Sequence, residues 1–181
     1  MRFISAALMT ASVFGATAAQ AEMKLVSKDL AAGKPMAYAQ VFNGFGCTGK
    51  NISPELVWSG APEGTKSFAV MAYDPDAPTG SGWWHWSVFN IPADISQIAA
   101  GASGDKKLPA GAVEGRTDFG TSGYGGACPP VGDKPHRYQF TVYALKVDKL
   151  PLPDTAPGAM VGFYVRANTL DKASIEVTYG R

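Results

Sequence analysis

The chain has 181 residues, with 16 Lys and Arg against 15 Asp and Glu, two His and two Cys. So even a balance, without a block of like charge, argues against broad nucleic-acid or membrane-surface binding, which needs a basic excess. A small anion is the better candidate partner, although "GDKPHR" (132–137) is locally basic.

The first segment reads as an address. Met1 and Arg2 make a short positive start, residues 3–18 are apolar and rich in small side chains, and "AQA" at 19–21 is an A-x-A cleavage site before Glu22. The apolar run is short of a spanning helix, which favours a cleaved signal peptide over an anchor, and no later segment reads as a membrane span. Cleavage removes one cation and leaves 160 residues with 15 charges of each sign. The mature chain, 22–181, is expected to be one exported domain, periplasmic or secreted, with no stable membrane insertion.

The chain's 21 Gly and 13 Pro, all but Gly15 in the mature part, are scattered between short β-prone runs, as in all-β domains. Residues 23–27, 36–42 and 55–60 are short strand candidates. The clearest strands are "SFAVMAYD" (67–74), "HWSVFNIP" (85–92), "RYQFTVYALKV" (137–147) and "SIEVTYG" (174–180). In the third of these Tyr138, Phe140, Val142 and Ala144 share one face. Residues 93–100 predict a short turn of helix after Pro92. Met160, Phe163, Tyr164, Ala167 and Leu170 predict a helix over 157–173. Residues 101–135 have almost no periodicity, and loops of that length often bind or act. The pattern predicts a mainly β protein, an antiparallel β-sandwich with a few peripheral helices, one of them near the C-terminus.

"GFGCTGKN" (44–51) matches G-x-G-x-x-G and nearly a phosphate loop, but no helical period follows. Asn51 stands where a phosphate loop needs Ser or Thr for magnesium. It reads as a glycine-rich turn carrying Cys47. In an exported chain the pair Cys47 and Cys128 reads first as a disulfide. Neither has Cys or His neighbours at zinc spacing, nor a C-x-x-C partner for redox work. No serine has the G-x-S-x-G setting of a nucleophile elbow, and Ser122, though glycine-flanked, lacks the pattern.

The two histidines are placed alike. His85 begins one strand and His136 another, each after a loop rich in Gly and Pro, so both stand at one end of the sandwich. Asp74 ends the preceding strand and is expected to hold the His85 imidazole in one tautomer. Asp76, before Pro78, reads as a turn cap. If the strand is regular, Trp84 and Trp86 lie opposite His85, and Trp83 shares its face. Two His and an Asp also make a facial metal triad, but further ligands nearby are lacking, and neither metal nor cofactor is expected.

"YDPDAPTGSGWWHW" joined to "GGACPPVGDKPHRYQFTVYAL" resembles the phosphatidylethanolamine-binding protein family, in particular its bacterial Raf kinase inhibitor-like branch. The D-P-D-A-P, W-x-H and P-P-x-G-x-x-x-H-R-Y elements occur in order, and the resemblance spans essentially the whole mature chain. It implies a β-sandwich with a small pocket for phosphate or other anionic headgroups. By matching positions the pocket would hold Asp74, Trp83 and His85 on one side, and Tyr124, Pro129, Pro130, His136 and Tyr138 on the other. Cys128 stands where many eukaryotic members have glycine before the paired prolines, so a bond to Cys47 would stiffen this rim.

An imidazolium and a Tyr hydroxyl can donate to phosphate oxygens, and the expectation is that Asp74 orients and charges His85 for that purpose. The leading expectation is therefore a non-enzymatic binding protein for a small phosphorylated or anionic ligand. The alternatives are an inhibitory or regulatory module with a protein partner in the exported compartment, and a hydrolase using Asp74 and His85 as an acid–base dyad.

Overall fold

The β-prone run 67–74 and the alternating run 137–147 become two of the three inner strands of a five-stranded antiparallel sheet in the computed structural model, which describes residues 22–104 and 106–181. The expected signal peptide at 1–21 lies outside the described residues. In chain order the strands are β1 (Lys24–Val26), β2 (Asn43–Gly44), β3 (Cys47–Thr48), β4 (Leu56–Ser59), β5 (Ser67–Asp74), β6 (Trp83–Pro92), β7 (Gln97–Ile98), β8 (Val113–Glu114) and β9 (His136–Leu145). The helix α1 (Gly158–Asn168) and the last strand β10 (Thr169–Tyr179) complete the chain. The large sheet runs β10-β9-β5-β6-β8, a smaller one runs β1-β4-β7, and β2-β3 is a hairpin.

The period of two sorts the side chains into two cores. Phe68, Val70 and Ala72 of β5, with Tyr138, Phe140 and Val142 of β9, meet Leu25, Leu56 and Trp58 of the small sheet. Ala69 and Met71, on the other face of β5, pack with Phe89 and Leu145 beneath Val161 and Val165 of α1. The architecture is thus a β-sandwich whose outer face carries the helix.

Four sequence expectations change. Residues 36–42 hold a 3-10 turn, Tyr38–Gln40, in place of a strand, and Val41 N–H donates back to Tyr38 at 3.3 Å. Residues 93–100 turn once, with Ile95 N–H on the Pro92 carbonyl, and then form β7, whose pairing with β4 overrides helix formation. The helix ends at Asn168, because the Thr169 hydroxyl and the Asn168 amide donate to the Val165 and Tyr164 carbonyls, closing the last turn. Finally, α1 turns its other face to the sheet. Met160 and Phe163 are exposed, whereas Gly158, Val161, Gly162 and Val165 are buried. The glycines decide this: a Cβ on Gly158 would stand 2.4 Å from Trp84 Cγ, so only a bare backbone fits so close.

Candidate functional site

At one end of the large sheet β5 finishes at Asp74, β6 begins at Trp83 and β9 begins at His136. Asp74 pairs with Trp83 and Tyr73 with Trp84, but Ala72 pairs with Trp86. His85 is therefore an extra residue, a β-bulge, and bulges re-aim side chains beside sites. The regular alternation expected for the tryptophans fails here. Trp84 packs on the helix side, Trp86 enters the core between the sheets, and Trp83 and His85 both line a cavity of about 210 Å³.

The cavity wall also includes Asp74, Pro129, Pro130, His136 and Tyr138. Sequence reasoning missed Phe45 and Phe119, which line it as well. Phe119 lies in the aperiodic stretch and meets the His85 ring edge-on at 5.4 Å, so no local pattern marks it. Phe45 sits in the glycine-rich turn at φ 52°, a left-handed conformation that is rare for a bulky residue, and is 69% exposed. That outlier, Gly46 beside it and the hairpin pairing make a two-residue turn with positive φ at both centres.

Tyr124 does not line the cavity. Its buried hydroxyl donates to the Gln40 carbonyl at 2.8 Å and its ring stands edge-on to Trp86, which makes it part of the core. Its neighbours matter more. His85 Nδ1 lies 2.8 Å from the Gly125 carbonyl and 3.1 Å from that of Gly126. A Cβ on Gly126 would come within 2.0 Å of the Gln40 carbonyl oxygen, so this loop reaches the histidine only because it is glycine. Asn51 fixes it from the other side, accepting from Gly126 N–H at 2.7 Å and donating to the Tyr124 carbonyl.

The expected Asp74–His85 hydrogen bond is replaced by another. Asp74 Oδ2 accepts from His136 Nδ1 at 2.8 Å, and Oδ1 accepts from Asp76 N–H and Ala77 N–H at 2.8 and 3.1 Å. Asp74, not Asp76, caps the turn. Asp76 instead takes three hydrogen bonds from Arg137, and the guanidinium holds its carboxyl at about 2, below the ordinary carboxylate range. His136 Nε2 lies 3.4 Å from Asp133 on its outer side. Burial pushes the His85 imidazole down, away from the charged form the sequence suggested. Asp74 and His85 are thus not a hydrogen-bonded dyad.

Two polar atoms of the lining residues have no protein partner although buried: Trp83 Nε1 and the Tyr138 hydroxyl. The rim outside them is cross-linked twice. Cys47 and Cys128 form a disulfide with Cα atoms 5.9 Å apart. The Arg181 guanidinium donates to the Pro129, Gly46 and Phe45 carbonyls at 2.6, 3.0 and 3.3 Å.

The UPF0098 protein YbcL of Escherichia coli K12 is 54% identical over 165 residues, 90% of each chain. YbhB from the same organism is 52% identical over 158 residues, covering 87% of this chain and 99% of its own. The crystal structure of E. coli YbcL, described as a new member of the mammalian PEBP family, superposes with a TM-score of 0.87 over 89% of this chain and 99% of that one. CT736 from Chlamydia trachomatis, a phosphatidylethanolamine-binding protein homolog in its description, is 29% identical with a TM-score of 0.73, over 88% and 98% of the two chains. The family model named phosphatidylethanolamine-binding protein matches residues 26–180, and the chain belongs to that family.

Proposed function

We propose that the protein is an exported, one-domain, non-enzymatic binding protein whose pocket takes a small phosphorylated or otherwise anionic group. One observation carries the reading: two buried donors, Trp83 Nε1 and the Tyr138 hydroxyl, belong to residues that line one small cavity and have no protein acceptor. A buried polar group without a partner costs about 1–3 kcal/mol, and a ligand oxygen removes that cost. Asp74 does not repel such a ligand as a bare charge would, because three donors surround its carboxylate. Pro129, Pro130, Phe45 and Phe119 supply apolar walls that lower the local polarity and strengthen each polar contact.

Export rests on the positive start, apolar run and "AQA" of residues 1–21. Among the described residues no helix is long and apolar enough to cross a membrane. Mass spectrometry of the protein from the periplasmic or secreted fraction should give a chain beginning at Glu22.

The pocket is tested by NMR titration of the oxidised mature protein with phosphoethanolamine, phosphoserine and inorganic phosphate, following the rings of His85 and His136. Saturable shifts at both are expected. Silence at millimolar ligand would remove the reading and turn attention to the exposed Phe45 and Val131 beside the rim as a protein-contact surface.

A further inference from the structure

We infer that the pocket selects the singly protonated form of a phosphate-like oxyanion, a monoester or free phosphate bearing one O–H, over its dianion and over diesters. This rests on the reading of the pocket as an oxyanion site and adds which form it takes.

The polarity of each atom offered to the ligand decides the form. The Trp83 indole can only donate, and the Tyr138 hydroxyl can donate. Their polar atoms have no partner in the protein. His85 is different. Its Nδ1 faces two carbonyl oxygens, at 2.8 and 3.1 Å, and carbonyls only accept, so Nδ1 carries the hydrogen. In the neutral ring Nε2 then bears a lone pair, and no protein group among the described residues donates to it. Burial favours the neutral ring, in agreement with the hydrogen bonding. Counting only atoms without a protein partner, the lining residues offer two donors and one acceptor.

The charges around His85 point the same way. Asp74 stands on β5, His136 and Tyr138 on β9, and Asp118 on the loop that carries Phe119. Beyond His136 lie Asp133 and the Asp76–Arg137 pair. No Lys or Arg lines the cavity. A phosphate dianion has only acceptors, so it would set an oxygen lone pair against Nε2 and bring two charges to a wall without Lys or Arg. One proton on the ligand resolves both conflicts. The P–O–H donates to His85 Nε2, and the remaining oxygens accept from Trp83 and Tyr138. A diester carries one charge but has no hydrogen to give, so it leaves Nε2 unpaired. A site built around a hydrogen bond discriminates strongly against a ligand that lacks it.

The test is a ligand panel on the unmodified, oxidised protein, read at the His85 ring and the Trp83 indole N–H by NMR at pH 5 to 8. The probes are inorganic phosphate, methyl phosphate, methylphosphonate and dimethyl phosphate. Methyl phosphate should bind at least about tenfold tighter at pH 5 than at pH 8, falling through its second ionisation near pH 6. Methylphosphonate ionises higher, and its break should move up in pH with it. Dimethyl phosphate, a monoanion throughout, should bind at least about tenfold more weakly than methyl phosphate at pH 5. A break at one pH for every ligand, with dimethyl phosphate as tight as the monoester, would assign the effect to protonation of the protein rather than of the ligand and overturn the inference. So would pH-independent binding, or binding that leaves the Trp83 and His85 signals unmoved. If no probe binds even at pH 5, the oxyanion reading itself fails. If inorganic phosphate binds as tightly as methyl phosphate, the recognised source is the free ion; a preference for the ester points to a displayed headgroup.

Discussion

Strand β6 is irregular at both ends, and the two irregularities are resolved in opposite ways. Near its C-terminal end Phe68 pairs with Ile91 and Val70 with Val88, so Phe89 and Asn90 stand opposite one residue, with Asn90 at φ 59°. There the extra length is closed off. The Asn90 amide accepts from Leu150 N–H at 2.7 Å and donates to the Leu150 carbonyl at 3.4 Å. At the other end the bulge at His85 fixes only one ring nitrogen, and the wall it joins contains two buried donors with no acceptor. The same backbone device serves structure at one end and leaves bonding capacity for a ligand at the other.

The deepest way to break the contrast is to remove what holds the pocket end outside the sheet. The disulfide closes a loop of 81 residues, and replacing both cysteines by serine should lower unfolding free energy by about 4–5 kcal/mol. Denaturant titration measures this. Hydrogen exchange locates it: amides of residues 43–48 and 126–132 should lose protection, while those around Asn90 keep theirs. Equal loss at both ends would show that the rim is not an independent unit.

A second substitution strikes the sheet behind the pocket. Gly158→Ala pushes a methyl group against Trp84, whose neighbour Trp83 lines the cavity, and overpacking of this kind costs up to about 3 kcal/mol. Stability should fall, but phosphate binding per folded molecule should not, because Trp84 faces the helix. A matching loss of affinity would mean that the two faces of β6 are coupled.

The sharpest comparison exchanges one group at each end. Tyr138→Phe deletes a buried hydroxyl with no partner, so stability should hold or rise by up to about 1 kcal/mol while ligand affinity falls about tenfold. Asn90→Ala deletes two satisfied bonds and should cost about 1–2 kcal/mol with binding unchanged. Thermal denaturation with the NMR titration separates the two. If Tyr138→Phe is destabilising, its hydroxyl has a structural partner and the contrast between the ends collapses.

What could be read from the residues follows the range of the interactions. Strand β5 is an eight-residue run buried on both faces, and β9 alternates large apolar with polar side chains at its start, so each is marked locally, one by a continuous apolar run and the other by a period of two. The motif residues Asp74, Trp83, His85, Pro129, Pro130, His136 and Tyr138 meet at one cavity because three strand ends converge there. Partner choice was not legible. Asp74 looks like the companion of His85 in sequence, yet the bulge turns His85 to the glycine loop and leaves Asp74 to His136, across 62 residues. Tyr124 shares the motif's neighbourhood but faces the core. The apolar spacing in α1 pointed to Met160 and Phe163, whereas two glycines and Trp84 chose the opposite face, a matter of close approach that hydropathy does not encode.

The smallest effect concerns the charged pair behind His136. Asp76 is held at about 2 by Arg137, below its ordinary value of 3.8, so the folded state favours the carboxylate. Its contribution is complete at neutral pH and is lost as pH falls from about 4 through 2. Both side chains are substantially exposed, at 32% and 49%, so solvent screening keeps the gain small despite the three hydrogen bonds. Asp76→Asn should therefore lower Tm by only a few degrees at pH 7 and low salt, by less at high salt, and by almost nothing near pH 2. Thermal scans across that range decide it. Arg137 adjoins His136, so loosening the pair also frees the outer side of the pocket wall. If Asp76→Asn left stability nearly unchanged but weakened phosphate binding, the pair would serve to position His136, and the bonding that prepares the pocket would extend one residue beyond its lining.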